Sequence, residues 1–127
     1  MDKQQSLLSR AKGTGSTKSG LHHWLLMKLT AIALIPLTIW FAFAMIKLSD
    51  MSWEVQRLWV SEPIHAFFMF IFIVITSLHS SNGFQVILED YIHSKFIKFS
   101  LIYLFKAATY LAGLSALFSI LFLVFNH

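Results

Sequence analysis

Three long apolar stretches divide this chain. Residues 29–46 carry no charge and are bounded by Lys28 and Lys47, while residues 63–88 lie uncharged between Glu62 and Glu89. Residues 107–127 contain no Asp, Glu, Lys or Arg, and the stretch extends back through Phe99 once Lys106 is accommodated. About 20 residues at a rise of ~1.5 Å cross a hydrocarbon layer of ~30 Å, so each stretch is long enough to span as a helix. Open strands are excluded there, because lipid offers no partner to unpaired backbone groups. The pattern predicts an all-α membrane protein with three transmembrane helices, over about 24–47, 63–89 and 99–125. Pro36 predicts a kink in the first helix, and Pro63 suits the opening turn of the second. Residues 1–20 carry Lys3, Arg10, Lys12 and Lys18 among glycines and serines. Without an apolar face to order them they read as a flexible basic tail, ahead of a three-helix membrane domain over 21–127.

Composition agrees. Of the 127 residues, 57% are hydrophobic and 13% charged, with mean hydropathy +0.68. That is too little charge to cover the wet surface of a soluble domain this size. No cysteine is present, which excludes disulfides, zinc–thiolate sites and thiol-ligated iron–sulfur clusters within the chain. The net charge of +4 would suit nucleic acid if it formed a patch, but most charges sit at the ends of apolar segments. Their placement sets the topology instead. Eight Lys and Arg residues flank one side (Lys3, Arg10, Lys12, Lys18, Lys28, Lys95, Lys98, Lys106), against Lys47 and Arg57 on the other. The positive-inside rule then places the N-terminus in the cytoplasm (or matrix) and the C-terminus on the opposite side. The tail lacks an apolar core and cleavage site, so it is not a secretory signal. Asp2 and the glycine spacing argue against a mitochondrial transit segment. The expected location is the bacterial inner membrane, with the mitochondrial inner membrane as the alternative.

The second stretch holds the candidate chemistry. Residues 76–83, TSLHSSNG, form a polar patch inside an otherwise apolar helix. His79 lies about 15 Å below the Glu89 end, near mid-bilayer, where ionisable groups cost a few kcal/mol and normally face a partner, cavity or cofactor. An imidazole at that depth suits an axial haem ligand, a proton relay, or a hydrogen bond between packed helices. Gly83, one turn on, makes room for a flat macrocycle or for close helix packing. Eleven residues separate His79 from Asp90, which returns Asp90 to within about 20° of the same face, about 16 Å along the axis. Tyr91 adds an apolar ring and a hydroxyl donor at the membrane rim. Such a rim acid and phenol suit a two-electron carrier that takes protons from water, although a helix end with an aromatic anchor would look the same. Ahead of the first span, His22 and Lys28 stand at the interface, placed to hold anionic groups such as propionates, or are ordinary flanking residues.

Two segments match a known family. The run 20–37, GLHHWLLMKLTAIALIPL, resembles the start of the hydrophobic membrane anchor subunits of succinate dehydrogenase, respiratory complex II. His79, Gly83 and the closing Glu89-Asp90-Tyr91 resemble the haem-ligand and quinone-site motif of the smaller, D-type anchor. The motifs cover residues 20–93, and the third span matches by hydropathy alone. The resemblance implies two three-helix anchors sharing one haem b beneath a flavoprotein subunit and an iron–sulfur subunit, with FAD and the iron–sulfur clusters held by those partners. It implies that His79 is one axial ligand of the iron, the second coming from the other anchor. It further implies that Tyr91 hydrogen-bonds a carbonyl of ubiquinone, with Asp90 aiding proton delivery or site geometry. Lys28 stands where the family often has an arginine near a haem propionate; it keeps the charge but loses the bidentate fork. His22 matches a family histidine in the same region.

The expected function is therefore that of an anchor in succinate:quinone oxidoreductase, serving respiratory electron transfer and the tricarboxylic acid cycle. With no flavin fingerprint and no cluster ligands, the chain would not oxidise succinate itself. A fumarate reductase anchor uses similar parts in reverse. A haem-free transport subunit with a proton path through His79 and Asp90, and a purely structural assembly protein, are the rivals from other classes.

Overall fold

The structure, a computed structural model, describes residues 17–126. Helices α1 (Thr17–Leu48), α2 (Trp53–Ser61), α3 (Pro63–Tyr91) and α4 (Lys95–Phe125) follow one another, and no strand occurs among the described residues. α1, α3 and α4 are long and apolar enough to cross a membrane, so the chain is a multi-pass membrane protein. Of the tail over 1–20, residues 1–16 lie outside the described residues, and residues 17–20 form the first turn of α1. Each long helix extends past the span expected from hydropathy. α1 continues unbroken through Pro36, which has no N–H to offer the carbonyl of Ile32.

α2 is the element that hydropathy does not predict. Nine residues long and carrying Glu54 and Arg57, it cannot span, and it packs beside α3 and α4 at the end where α1 finishes. Gln56 fastens it: Nε2 donates to the carbonyls of Leu48 at 2.9 Å and Met51 at 3.0 Å. The chain then turns at Glu62, in extended backbone, and Pro63 opens α3 where its missing N–H costs nothing. His65 closes this corner. Its ring stacks on Trp59 at 3.8 Å, and Nδ1 lies 3.0 Å from both the Trp59 carbonyl and Glu62 Oε2. Trp40 joins from α1, with ring centroids 6.0 Å from Trp59 and 5.4 Å from Phe68.

α3 is the central rod. α1 and α4 pack chiefly against it rather than on each other, so the three spans form an open half-bundle. Helices in lipid gain little from burying apolar surface, so shape and polar contacts decide where they meet. On the α1 side Phe41 stacks on Phe72 at 4.7 Å; on the α4 side Phe84 stacks on Phe105 at 3.8 Å. Such pairs contribute about 0.5–1.5 kcal/mol each. α3 packs tightly on Gly113 of α4, where an added Cβ would lie 2.6 Å from Ser77 Oγ. Among the described residues few apolar side chains are buried (Ala44, Leu48, Ala66, Leu88, Ile102 and Ile120), and large apolar residues of every span face outward.

Candidate functional site

The polar patch of α3 sends its side chains to different neighbours. Ser77 faces α4 at Gly113. Thr76 and Ser80 line a groove of about 430 Å³ together with Phe72 of α3 and Thr109, Ala112 and Ala116 of α4. His79 turns toward α1, where Nδ1 lies 2.9 Å from the hydroxyl of Thr30. That hydroxyl also lies 2.7 Å from the carbonyl of Leu26 and 3.2 Å from that of Met27, and Thr30 is buried. His79 itself is half-buried, and its Nε2 makes no hydrogen bond among the described residues.

Unpartnered polar atoms gather around this region. Among the described residues Thr76 Oγ1 and Ser81 Oγ are buried without a hydrogen-bond partner, and so is Nε2 of His23 on α1. Ser81 is 1% exposed. Orphaned groups of this kind cost about 1–3 kcal/mol each unless something outside the chain satisfies them. His23, Met27 and Thr30 recur at helical spacing, on the stripe of α1 that meets α3. Gly83 sits beside this stripe: a Cβ there would meet Met27 Cε at an ordinary 3.5 Å, so α1 does not press upon it. The close packing that a glycine could serve is found at Gly113 instead.

α3 runs without interruption from His79 through Tyr91, so Asp90 returns to the His79 face as its spacing predicts. Asp90 is exposed and Tyr91 is 78% exposed, and neither side chain makes a hydrogen bond or ion pair among the described residues. Glu89 beside them accepts from Gln85 Nε2 at 2.8 Å. Both acids lie in the last turn of a helix that has no basic residue there. Negative charge at a helix C-terminus opposes the dipole by about 0.3–1 kcal/mol, so stability does not explain Asp90. On the same side of the molecule, Lys28 is exposed, with Nζ 5.8 Å from the ring centroid of Trp24. His22 is exposed one position before the half-buried His23.

The donor set suits one kind of metal group. No three His, Cys, Asp or Glu side chains converge among the described residues, so a metal held wholly by this chain has no cage there. A haem asks less of one chain, because the macrocycle supplies the equatorial nitrogens and the protein only axial ligands. An imidazole with Nδ1 engaged and Nε2 unbonded, beside a glycine with room for a Cβ, fits that need.

The model of the succinate dehydrogenase/fumarate reductase transmembrane subunit family matches residues 1–125. The chain belongs to that family. It is 37% identical over 117 residues to the succinate dehydrogenase hydrophobic membrane anchor subunit of Rickettsia bellii, covering 86% of this chain and 90% of that one. The protein of the same description from Rickettsia conorii is 34% identical over 113 residues, with the same coverage. The succinate dehydrogenase membrane anchor subunit of Reclinomonas americana is 32% identical over 93 residues, 71% of this chain and 78% of its own. No solved structure gives a significant match.

Two features of the site escape a reading of the sequence. Thr30 lies inside an apolar span, and a hydroxyl there already signals a need for a partner; which partner depends on how α1 meets α3. His23 looks like an ordinary flanking residue beside His22, yet it is half-buried with a nitrogen that has no partner among the described residues.

Proposed function

We propose that this chain is the D-type anchor of a succinate:quinone oxidoreductase in a bacterial inner membrane, holding haem b through His79 and completing a ubiquinone site with Tyr91 and Asp90. The observation that carries the reading is His79 in mid-span, with Nδ1 tied to Thr30, on a helix that ends in Asp90 and Tyr91; Nε2 and both rim side chains have no partner among the described residues. His79 would supply one axial nitrogen and a second anchor subunit the other. Gly83, where a Cβ would meet only Met27 Cε at 3.5 Å, would admit the macrocycle, and Lys28 and His22, both exposed, would hold its propionates. When bound, the haem supplies a one-electron reservoir beside the quinone.

The residues of the chain itself do simpler work. Reducing a quinone takes two electrons and two protons, and water must reach it without flooding the membrane interior. Tyr91, at the rim, donates its O–H to a quinone carbonyl and holds the head group in register. Asp90, one residue away and open to water, takes up protons from solvent and passes them toward the carbonyl oxygens. Lys and Arg counts put this rim on the cytoplasmic side. Electrons would arrive there from an iron–sulfur subunit, itself supplied by a flavoprotein that oxidises succinate. A fumarate reductase anchor shares the family, but the relatives described above all carry the succinate dehydrogenase name.

The test is a reduced-minus-oxidised spectrum of the solubilised complex, taken with its co-purifying chains, alongside its succinate-to-quinone activity. A b-type signal and quinone reduction are expected. A complex that reduces quinone without any b-type haem would remove His79 from the site.

A further inference from the structure

We infer that Thr30 is a positioning residue for His79: its hydroxyl fixes the tautomer and rotation of the imidazole and strengthens the nitrogen that faces the iron. The inference rests on the reading of His79 as a haem ligand and adds a residue from the neighbouring helix.

The proton count decides the arrangement. A threonine hydroxyl has one proton to donate and lone pairs with which to accept. Its shortest contact, 2.7 Å, is with the carbonyl of Leu26, which can only accept. With the proton spent there, the hydroxyl faces Nδ1 of His79 at 2.9 Å as an acceptor, so Nδ1 carries the ring proton and donates it. The chain of hydrogen bonds then runs from Nδ1–H to the Thr30 oxygen, and from the Thr30 O–H to the Leu26 carbonyl. A neutral imidazole with its proton on Nδ1 keeps a lone pair on Nε2, the nitrogen without a partner among the described residues. The opposite tautomer would place a proton on Nε2 and abolish ligation. A carbonyl anchored in helix α1 thus selects the ligating form of a ring on α3. Because Thr30 is buried, water does not compete for either bond.

Holding the Nδ1 proton in a hydrogen bond makes the imidazole a stronger donor to iron, which favours the ferric state and lowers the midpoint potential. It also fixes the ring plane, on which the g-anisotropy of a low-spin ferric haem depends.

The experiment compares Thr30→Val, Thr30→Ser and His79→Leu in the assembled complex, by redox titration and electron paramagnetic resonance of the haem. Thr30→Val keeps the shape and removes the hydroxyl: the haem should remain, with its midpoint potential raised and its largest g-value moved. Thr30→Ser restores the hydroxyl and should return both to wild-type values. A Thr30→Val complex with unaltered potential and g-values would overturn the inference. Should Thr30→Val assemble without haem, Thr30→Ser decides: wild-type haem signals uphold the role of the hydroxyl, and shifted or missing signals refute it. His79→Leu separates the two readings. If it leaves the haem signals untouched, the ligand assignment falls; if it alters them while Thr30→Val does not, only the role of Thr30 falls.

Discussion

His65 and His79 stand about four turns apart on α3, and their surroundings are opposite in kind. His65 stacks on Trp59 at 3.8 Å, and its Nδ1 meets a backbone carbonyl and the carboxylate of Glu62. Everything it touches belongs to the corner it closes. His79 has one nitrogen tied to Thr30 and the other unbonded, near buried hydroxyls that find no partner among the described residues. A folded chain does not leave several polar groups unmet in a membrane interior without a use for them. The contrast separates a histidine that finishes a fold from the one proposed above to hold the haem.

The largest effect expected from this contrast comes from replacing each histidine by leucine in the assembled complex. His79→Leu should abolish or grossly alter the b-type difference spectrum. His65→Leu should leave that spectrum unchanged, while weakening the corner between α2 and α3. Equal spectral changes in both variants would dissolve the distinction, and a wild-type spectrum in His79→Leu would make that ring a packing element.

At the rim the comparison extends to Tyr91. Replacement by Phe keeps the ring and removes the proposed hydrogen bond to the quinone, worth about 1–1.5 kcal/mol, so quinone reduction should fall roughly tenfold. Reduction of a soluble dye by the succinate-oxidising subunits should not change, since the proposed role of Tyr91 is confined to the quinone. Equal loss of both activities would point to failed assembly, and no loss in either would leave Tyr91 as an aromatic anchor.

The spans were legible in the sequence because lipid imposes a length and a polarity that few segments meet. The His79–Asp90 stripe was legible for a related reason: both residues sit in one helix, whose period is set by backbone geometry. α2 was not, since nine residues with two charges show neither a spanning length nor a long amphipathic period. The polar patch could be seen as a patch, but not as a set of hydroxyls and a histidine bound for different neighbours. That division depends on which face of α3 each neighbouring helix takes. The pairing of Thr30 with His79 joins residues 49 positions apart, a separation that no local rule spans.

The two glycines near the patch sharpen the contrast at smaller magnitude. At Gly113 a Cβ would crowd Ser77 Oγ at 2.6 Å, whereas at Gly83 it would meet only Met27 Cε at 3.5 Å. Gly113→Ala should therefore lower the thermal midpoint of the complex, at a cost of about 1–3 kcal/mol. Adding Ser77→Ala makes room for the new methyl and should restore part of that loss, a coupling that a double-mutant cycle reads directly. Gly83→Ala should leave the midpoint unchanged. A stability loss at Gly83 as large as that at Gly113 would mean that α1 presses on α3 more tightly than the Met27 contact indicates.

The smallest effect tests the other side of the comparison, the histidine that the fold already satisfies. His65→Phe keeps a flat ring over Trp59 and removes the polar contacts to the Trp59 carbonyl and to Glu62. The carboxylate of Glu62 is open to water and loses little, so the hydrogen bond to the carbonyl dominates, at about 0.5–1.5 kcal/mol. A slightly lowered thermal midpoint is expected, with haem potential and quinone reduction as in the wild type. The corner at His65 and the mid-helix site at His79 are independent only if the corner does no more than support the fold. A shift of haem potential in His65→Phe would show that strain at the corner reaches His79 through the rod, and the two histidines would then belong to one device.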